Sequence, residues 1–142
     1  MNLLQFANSR KSKMTEDDIR QIFQRTVAAV QASHNQGIIH RDIKPENLLI
    51  KMNEDAKVID LKLADFGHAC KIGCEANKYQ KNYGTLGYMA PEIMLPEVDY
   101  DERIDAWSLG VLLYNLVTGC MPFKGNYKQV YARTIFKDPK YK

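Results

Sequence analysis

His40-Arg41-Asp42-Ile43-Lys44-Pro45-Glu46-Asn47 decides how the rest of this chain reads. On its own the octet is a polar turn rich in groups that can move a proton or hold a cation. What precedes it is a helix signal. Thr15 is placed as an N-cap, with Glu16, Asp17 and Asp18 in a first turn where the helix dipole favours negative charge. Ile19, Ile22, Phe23, Thr26, Val27 and Val30 then recur at the spacing of one buried face, and Gly37 can end the helix in a left-handed conformation. Further upstream, residues 2–8 read as a short helix, and Arg10-Lys11-Ser12-Lys13 as a solvated loop.

Downstream, Asn47–Lys51 and Lys57–Leu63 are short and apolar-rich, joined by the polar stretch Met52–Ala56, so a β-hairpin is predicted. Residues 67–89 hold four glycines and show no period, which reads as one long irregular loop, and such loops within compact domains are usually functional. Glu102–Thr118 reads as a helix apolar on nearly every face and therefore central to the domain. Gly119 ends it and Pro122 prevents its continuation. A last amphipathic helix is predicted over Tyr127–Phe136.

Three further motifs follow the octet in order. Asp65-Phe66-Gly67 lies 23 positions after Asp42, beyond the predicted hairpin. Gly84-Thr85-Leu86-Gly87-Tyr88-Met89-Ala90-Pro91-Glu92 closes the long loop, and Asp105-Ala106-Trp107-Ser108-Leu109-Gly110 opens the central helix. Together these four motifs resemble eukaryotic protein kinases of the serine/threonine type: the H-R-D catalytic loop with its Asn, the D-F-G triplet, the A-P-E end of the activation segment, and D-x-W-S-x-G. The resemblance covers essentially the whole chain, residues 1–142. The hairpin length and the stretch from Trp107 to Phe123 look most like the calcium/calmodulin-dependent group.

The resemblance implies a fold and a set of roles. The fold would be α+β and mainly helical, a kinase-like large lobe whose short hairpin carries the active site, with the small lobe missing. The substrates would be ATP and a protein, and the metal Mg²⁺. Asp42 would take the proton of the acceptor hydroxyl, Lys44 would contact the transferred phosphate, and Asn47 and Asp65 would hold the metal. Thr85 would bond Asp42 and Lys44, and Leu49 would lie under the adenine ring. Glu46 would read a basic residue upstream of the target, and Leu86 would help form the wall that receives the residue after it. A second acidic position used by some basic-directed kinases falls on the neutral Asn115. Asp105 would anchor the backbone of the His40 loop, and His40 would stack on Phe66. Trp107 fits equally a plain core aromatic. In the family Glu92 pairs with an arginine from a later helix, and without that partner its burial would be costly.

The sequence departs from the family in two ways. It carries no G-x-G-x-x-G loop and no strand lysine of the V-A-x-K kind, so nucleotide-clamping elements are not to be found in it. Phosphoryl transfer by residues 1–142 alone is therefore expected to be inefficient, exposed apolar surface is expected to limit solubility, and an incomplete gene model or transcript is the simplest account of the length. Between Phe66 and Gly84 there is no Ser or Thr, and Tyr79 and Tyr83 are the only hydroxyls. Activation is thus expected not to need a phosphothreonine there. The alternative class is a non-catalytic, kinase-derived binding module.

Composition bounds the remainder. Hydrophobic residues make up 45% and charged residues 26%, which is ordinary for a folded domain. A net charge of +3 is too mild to point to nucleic acid or a membrane as the main partner. No stretch has the length of a membrane helix, no signal peptide pattern opens the chain, and the default compartment is the cytoplasm. Cys70, Cys74 and Cys120 read as free thiols. His68 stands near the first two, but no second Cys/His pair at zinc spacing follows.

Overall fold

The computed structural model describes residues 1–10, 14–54, 58–73, 83–95 and 99–136. Its elements are α1 (Leu3–Ser9), α2 (Glu16–Asn35), β1 (Ile38–Ile39), β2 (Leu48–Met52), β3 (Val58–Leu63), β4 (Cys70–Lys71), α3 (Pro91–Met94), α4 (Arg103–Thr118) and α5 (Tyr127–Phe136), with 3₁₀ turns at Pro45–Asn47 and Phe66–His68.

Local chemistry accounts for the ends of α2. Thr15 accepts from the Asp18 backbone N–H, and Asp18 returns the bond by accepting from the Thr15 N–H, a full capping box. Arg10 pairs with Asp18 at 3.1 Å and lies over the Phe6 ring, so the first residue of the expected solvated run is engaged. The rest of that run is outside the described residues, as are Lys57 of the predicted second strand and Tyr79 and Cys74 of the long loop. At the other end of α2, Gly37 adopts φ +72° while its N–H donates to the His34 carbonyl.

The buried stripe of α2 runs through Ile22, Thr26, Val30 and Ser33. Val27, expected on that stripe, is 39% exposed. α2 packs on β3 and α4, and their cover does not extend over Val27. β2 and β3 form the predicted antiparallel hairpin, with Leu48 opposite Leu63 and an irregularity at Lys51/Met52. Leu48 and Ile50 point into the core, whereas Leu49 points out and is 48% exposed. The residues ahead of α1 run along β2, with the Ile50 N–H donating to the Met1 carbonyl at 2.9 Å.

Two expectations need correction. The segment after Phe66 is not irregular throughout. Cys70 and Lys71 form β4, which pairs antiparallel with β1, because Ile38 and Ile39 emerge from α2 as an open edge that needs backbone partners. Nor is α4 buried all round. Ile104, Ser108, Val111, Leu112 and Leu116 face the core, while Ala106 and Gly110 are exposed and Val117 is 62% exposed. An all-apolar helix is buried only as far as neighbours cover it, and among the described residues none covers Val117. Gly119 at φ +68° closes α4 as expected, its N–H on the Asn115 carbonyl.

Two apolar clusters result. The larger joins α1, α2, the hairpin and α4 around Leu3, Ile22, Leu48 and Leu112. The smaller gathers Ile39, Met89, Ile93 and Ile104 beneath the turn that precedes α3. The octet 40–47 is held where these two clusters meet, since Ile43 belongs to the first and Ile39 to the second.

Candidate active site

Asp105, at the start of α4, is fully buried and receives three donors. Its Oδ2 accepts the His40 backbone N–H at 2.9 Å and pairs with His34 Nε2 at 2.8 Å, and its Oδ1 accepts the Arg41 N–H at 2.9 Å. The core helix thus sets the loop backbone directly. Nothing in the sequence signals the His34 contact. It joins residues 71 positions apart, and only its place in the last turn of α2 could have hinted at it.

His40 works as a strut between two motifs. Its Nδ1 accepts the Asp42 backbone N–H at 3.3 Å, which assigns the proton to Nε2, and Nε2 donates to the Ala64 carbonyl at 3.0 Å. Burial lowers the pKa of this imidazole despite the opposing Ala64 carbonyl and the carboxylates of Asp105, Asp42 and Asp65. Phe66 meets it edge-on at 4.8 Å and 70°, a T-shaped contact in place of the expected stack. Asp65, directly before Phe66, takes φ +60°, with its side chain accepting the Gly67 N–H at 3.2 Å. The side chain of Asp65 is exposed.

Asp42 is 3% exposed and its carboxylate is nearly saturated. Oδ1 accepts from Thr85 Oγ1 at 2.7 Å; Oδ2 accepts from Asn47 Nδ2 at 3.0 Å and pairs with Lys44 Nζ at 2.8 Å. Lys44 Nζ also donates to Thr85 Oγ1 at 2.6 Å, closing a ring of Asp, Lys and Thr. Burial pushes the Asp42 carboxyl up, but hydrogen bonds from Lys44, Thr85 and Asn47, with the charge of Lys44, outweigh it and hold the group below the usual carboxylate range. The result is a base kept charged and aimed.

Gly84 makes room for this ring. It has φ +117°, and a Cβ on it would stand 2.5 Å from the Arg41 carbonyl oxygen. Only glycine allows the segment around Thr85 to lie so close to the catalytic-type loop. The same segment is tied to α4 by Ser108 Oγ, which donates to the Tyr88 carbonyl at 2.8 Å. Burial, with the nearby charge of Glu46, pushes the Tyr88 hydroxyl up to about 12, so it stays protonated at any working pH. Arg41 donates through Nε to the His68 carbonyl and through Nη1 to Tyr100 Oη at 2.8 Å, and its guanidinium lies 4.7 Å from the Tyr83 ring centroid.

The other residues singled out by the sequence lie around this ring. Glu46 is exposed beside it. Leu86 lines a cleft of about 580 Å³ with Gly87, Met121, Phe123, Tyr127 and Val130. Trp107 stacks on Phe123 at 5.9 Å and 5°, and is a packed aromatic of the core. Glu92, in the first turn of α3, is half-buried among the described residues.

Among the described residues no group of three or more His, Cys, Asp and Glu could enclose a metal ion alone. Asn47 has both Nδ2 hydrogens committed to Asp42, one to the backbone carbonyl at 2.8 Å, so its Oδ1 is the end left to hold a cation. That oxygen and the Asp65 carboxylate are hard donors. Two such donors fit Mg²⁺, which keeps waters and takes its other ligands from phosphates. No described helix is long and apolar enough to cross a membrane.

Comparison with known proteins agrees with this geometry. The profile of the protein kinase domain family matches residues 1–141. A serine/threonine-protein kinase of Drosophila melanogaster is 44% identical over 117 residues, covering 82% of this chain and 15% of the fly protein. One from Drosophila persimilis is 41% identical over the same share of each. A CBL-interacting serine/threonine-protein kinase of Arabidopsis thaliana is 38% identical over 133 residues, 93% of this chain and 29% of the plant protein. The chain thus spans under a third of the length of these relatives.

Proposed function

This chain belongs to the protein kinase domain family, and on that premise we propose that its Asp42 cluster moves the γ-phosphoryl group of ATP to a serine or threonine hydroxyl of a protein. The observation that carries the reading is the Asp42 carboxylate, buried, charged and fixed by Thr85, Lys44 and Asn47. Asp42 accepts the hydroxyl proton as the acceptor oxygen bonds to the γ-phosphorus and the bond from that phosphorus to the β-bridging oxygen breaks, leaving ADP. Lys44 sits 2.8 Å from the same carboxylate, where its charge serves the oxygens of the group in transfer.

Asn47 and Asp65 would hold Mg²⁺. The ion, when bound, neutralises charge on the nucleotide phosphates. Leu49, half-exposed on the outer face of β2, offers an apolar platform for adenine. Glu46 is free to attract a basic residue of the substrate, and Leu86 lines the cleft that would receive the residue after the acceptor. Residues 1–142 are read as part of the large lobe of the kinase domain. The glycine-rich loop and strand lysine that the family uses to clamp ATP do not occur in the sequence of residues 1–142.

The test is incubation of the intact protein with MgATP and a peptide library. Phosphoserine and phosphothreonine products, enriched for Arg or Lys upstream of the acceptor, are expected. Nucleotide binding without any phosphopeptide would replace this reading with a binding module.

A further inference from the structure

We propose that Tyr83 is a positioning residue for Asp42: its ring carries the Arg41 guanidinium, and this grip sets the register in which Thr85 meets the carboxylate. The inference rests on the kinase reading of Asp42. Consecutive residues of the segment before α3 lie against consecutive residues of the loop. The Tyr83 ring centroid is 4.7 Å from the Arg41 guanidinium carbon. The Gly84 backbone comes so close that a Cβ on it would stand 2.5 Å from the Arg41 carbonyl oxygen. Thr85 Oγ1 donates to Asp42 Oδ1 at 2.7 Å. Gly84 permits the approach but has no side chain with which to hold it. A slide of one residue would bring Gly84 or Leu86 opposite Asp42, and neither carries a hydroxyl.

The Arg41 end of the contact is built. Arg41 is 5% exposed, and a guanidinium so buried needs partners. Its Nε donates to the His68 carbonyl and its Nη1 to Tyr100 Oη at 2.8 Å. Burial raises the pKa of Tyr100 despite the hydrogen bond and charge of Arg41, so the acceptor there is a neutral hydroxyl. The Tyr83 ring meets the same cation with its π face. The Arg41 backbone is fixed as well, at φ +68° with its N–H on Asp105.

The Tyr83 end is also held. The His68 ring meets it edge-on at 5.8 Å and 75°, and His68 Nδ1 stands 3.6 Å from Asp42 Oδ2, beyond a hydrogen bond. Tyr83 is 39% exposed and belongs to neither apolar cluster, so replacing it changes the contact with Arg41 without opening the core. The loop is anchored on α4 through Asp105, and the Tyr83 ring passes that anchoring to the segment that carries Thr85.

Two measurements on the intact protein decide the matter. In the first, the Arg41 Nε–H cross-peak is compared by NMR in the native protein, Tyr83→Phe and Tyr83→Leu. A proton beside an aromatic face is displaced by the ring current. The displacement is expected to persist in Tyr83→Phe and to vanish in Tyr83→Leu, and a cross-peak that stays in place in Tyr83→Leu overturns the contact. In the second, kcat and the KM for MgATP are measured for the same proteins, for Thr85→Ala and for the double variant with Tyr83→Leu. Tyr83→Leu is expected to lower kcat several-fold with KM near native, and Tyr83→Phe to keep most of the rate. Tyr83→Leu is expected to cost little further once Thr85 is replaced, because both substitutions act on one contact. A native kcat in Tyr83→Leu, or full additivity with Thr85→Ala, overturns the positioning role. If the native protein transfers no phosphate, the kinase reading fails and the positioning role with it, while the NMR comparison still decides whether Tyr83 holds Arg41.

Discussion

Asp105 Oδ1 accepts the backbone N–H of Arg41 at 2.9 Å across 64 positions of sequence, and Arg41 is held there at φ +68°. A non-glycine residue in that region costs about 1 kcal/mol or more. The second oxygen of Asp105 holds the preceding N–H, of His40. Two charge-assisted bonds from a buried carboxylate thus offset the strain and fix the turn that presents Asp42.

Asp105→Ala is expected to be strongly destabilising. It leaves the N–H groups of His40 and Arg41 and the ring of His34 without their acceptor. Losing such a partner costs on the order of 3–5 kcal/mol. Urea denaturation of the native protein and the variant measures it, and a difference under about 1 kcal/mol would be too small for the anchoring described here.

Thr85→Ala should separate orientation from folding. The Thr85 hydroxyl donates to Asp42 and accepts from Lys44. Its loss leaves both charges paired but loosens their mutual geometry, so kcat should drop about tenfold or more, with a stability cost of about 1 kcal/mol. Thr85→Ser keeps the hydroxyl and should retain most of the rate. Equal rates for the native protein and Thr85→Ala would show that the hydroxyl does not orient the base.

His40 gives a prediction about pH and stability. In the folded protein its pKa is lowered, chiefly by burial, while in the unfolded chain it titrates near the ordinary value of about 6.5. Below that value the unfolded state binds more protons than the native state, so unfolding free energy falls with pH until the lowered native value is passed. Denaturation midpoints at pH 7.5 and pH 5 should differ more for the native protein than for His40→Asn. A native protein whose midpoint shifts no more than that of the variant would refute the neutral, buried assignment.

Local signals in the sequence are legible because they act over one or two turns. Thr15 and Asp18 close their capping box within three residues, and Gly37 and Gly119 end their helices by their own backbone freedom. The octet, Asp65 and Thr85 were legible as motifs, since their residue types and order carry a pattern. What escaped was set by packing partners. Nothing local to Val27 or Val117 says that the neighbouring elements stop short of them. The β1–β4 pairing rests on two residues a side, too short to leave a periodic signal. Nothing in the sequence around His68 points to Asp42, because its approach to that carboxylate depends on how the Phe66–His68 turn is placed against the loop.

The most direct test of the account is phosphoryl transfer from MgATP by the intact protein, native against Asp42→Asn, with nucleotide affinity measured alongside. The asparagine has nearly the same shape and cannot take the proton. The account predicts that the rate falls by about 10²–10⁴ while nucleotide affinity stays close to native. Transfer by Asp42→Asn at the native rate would contradict it.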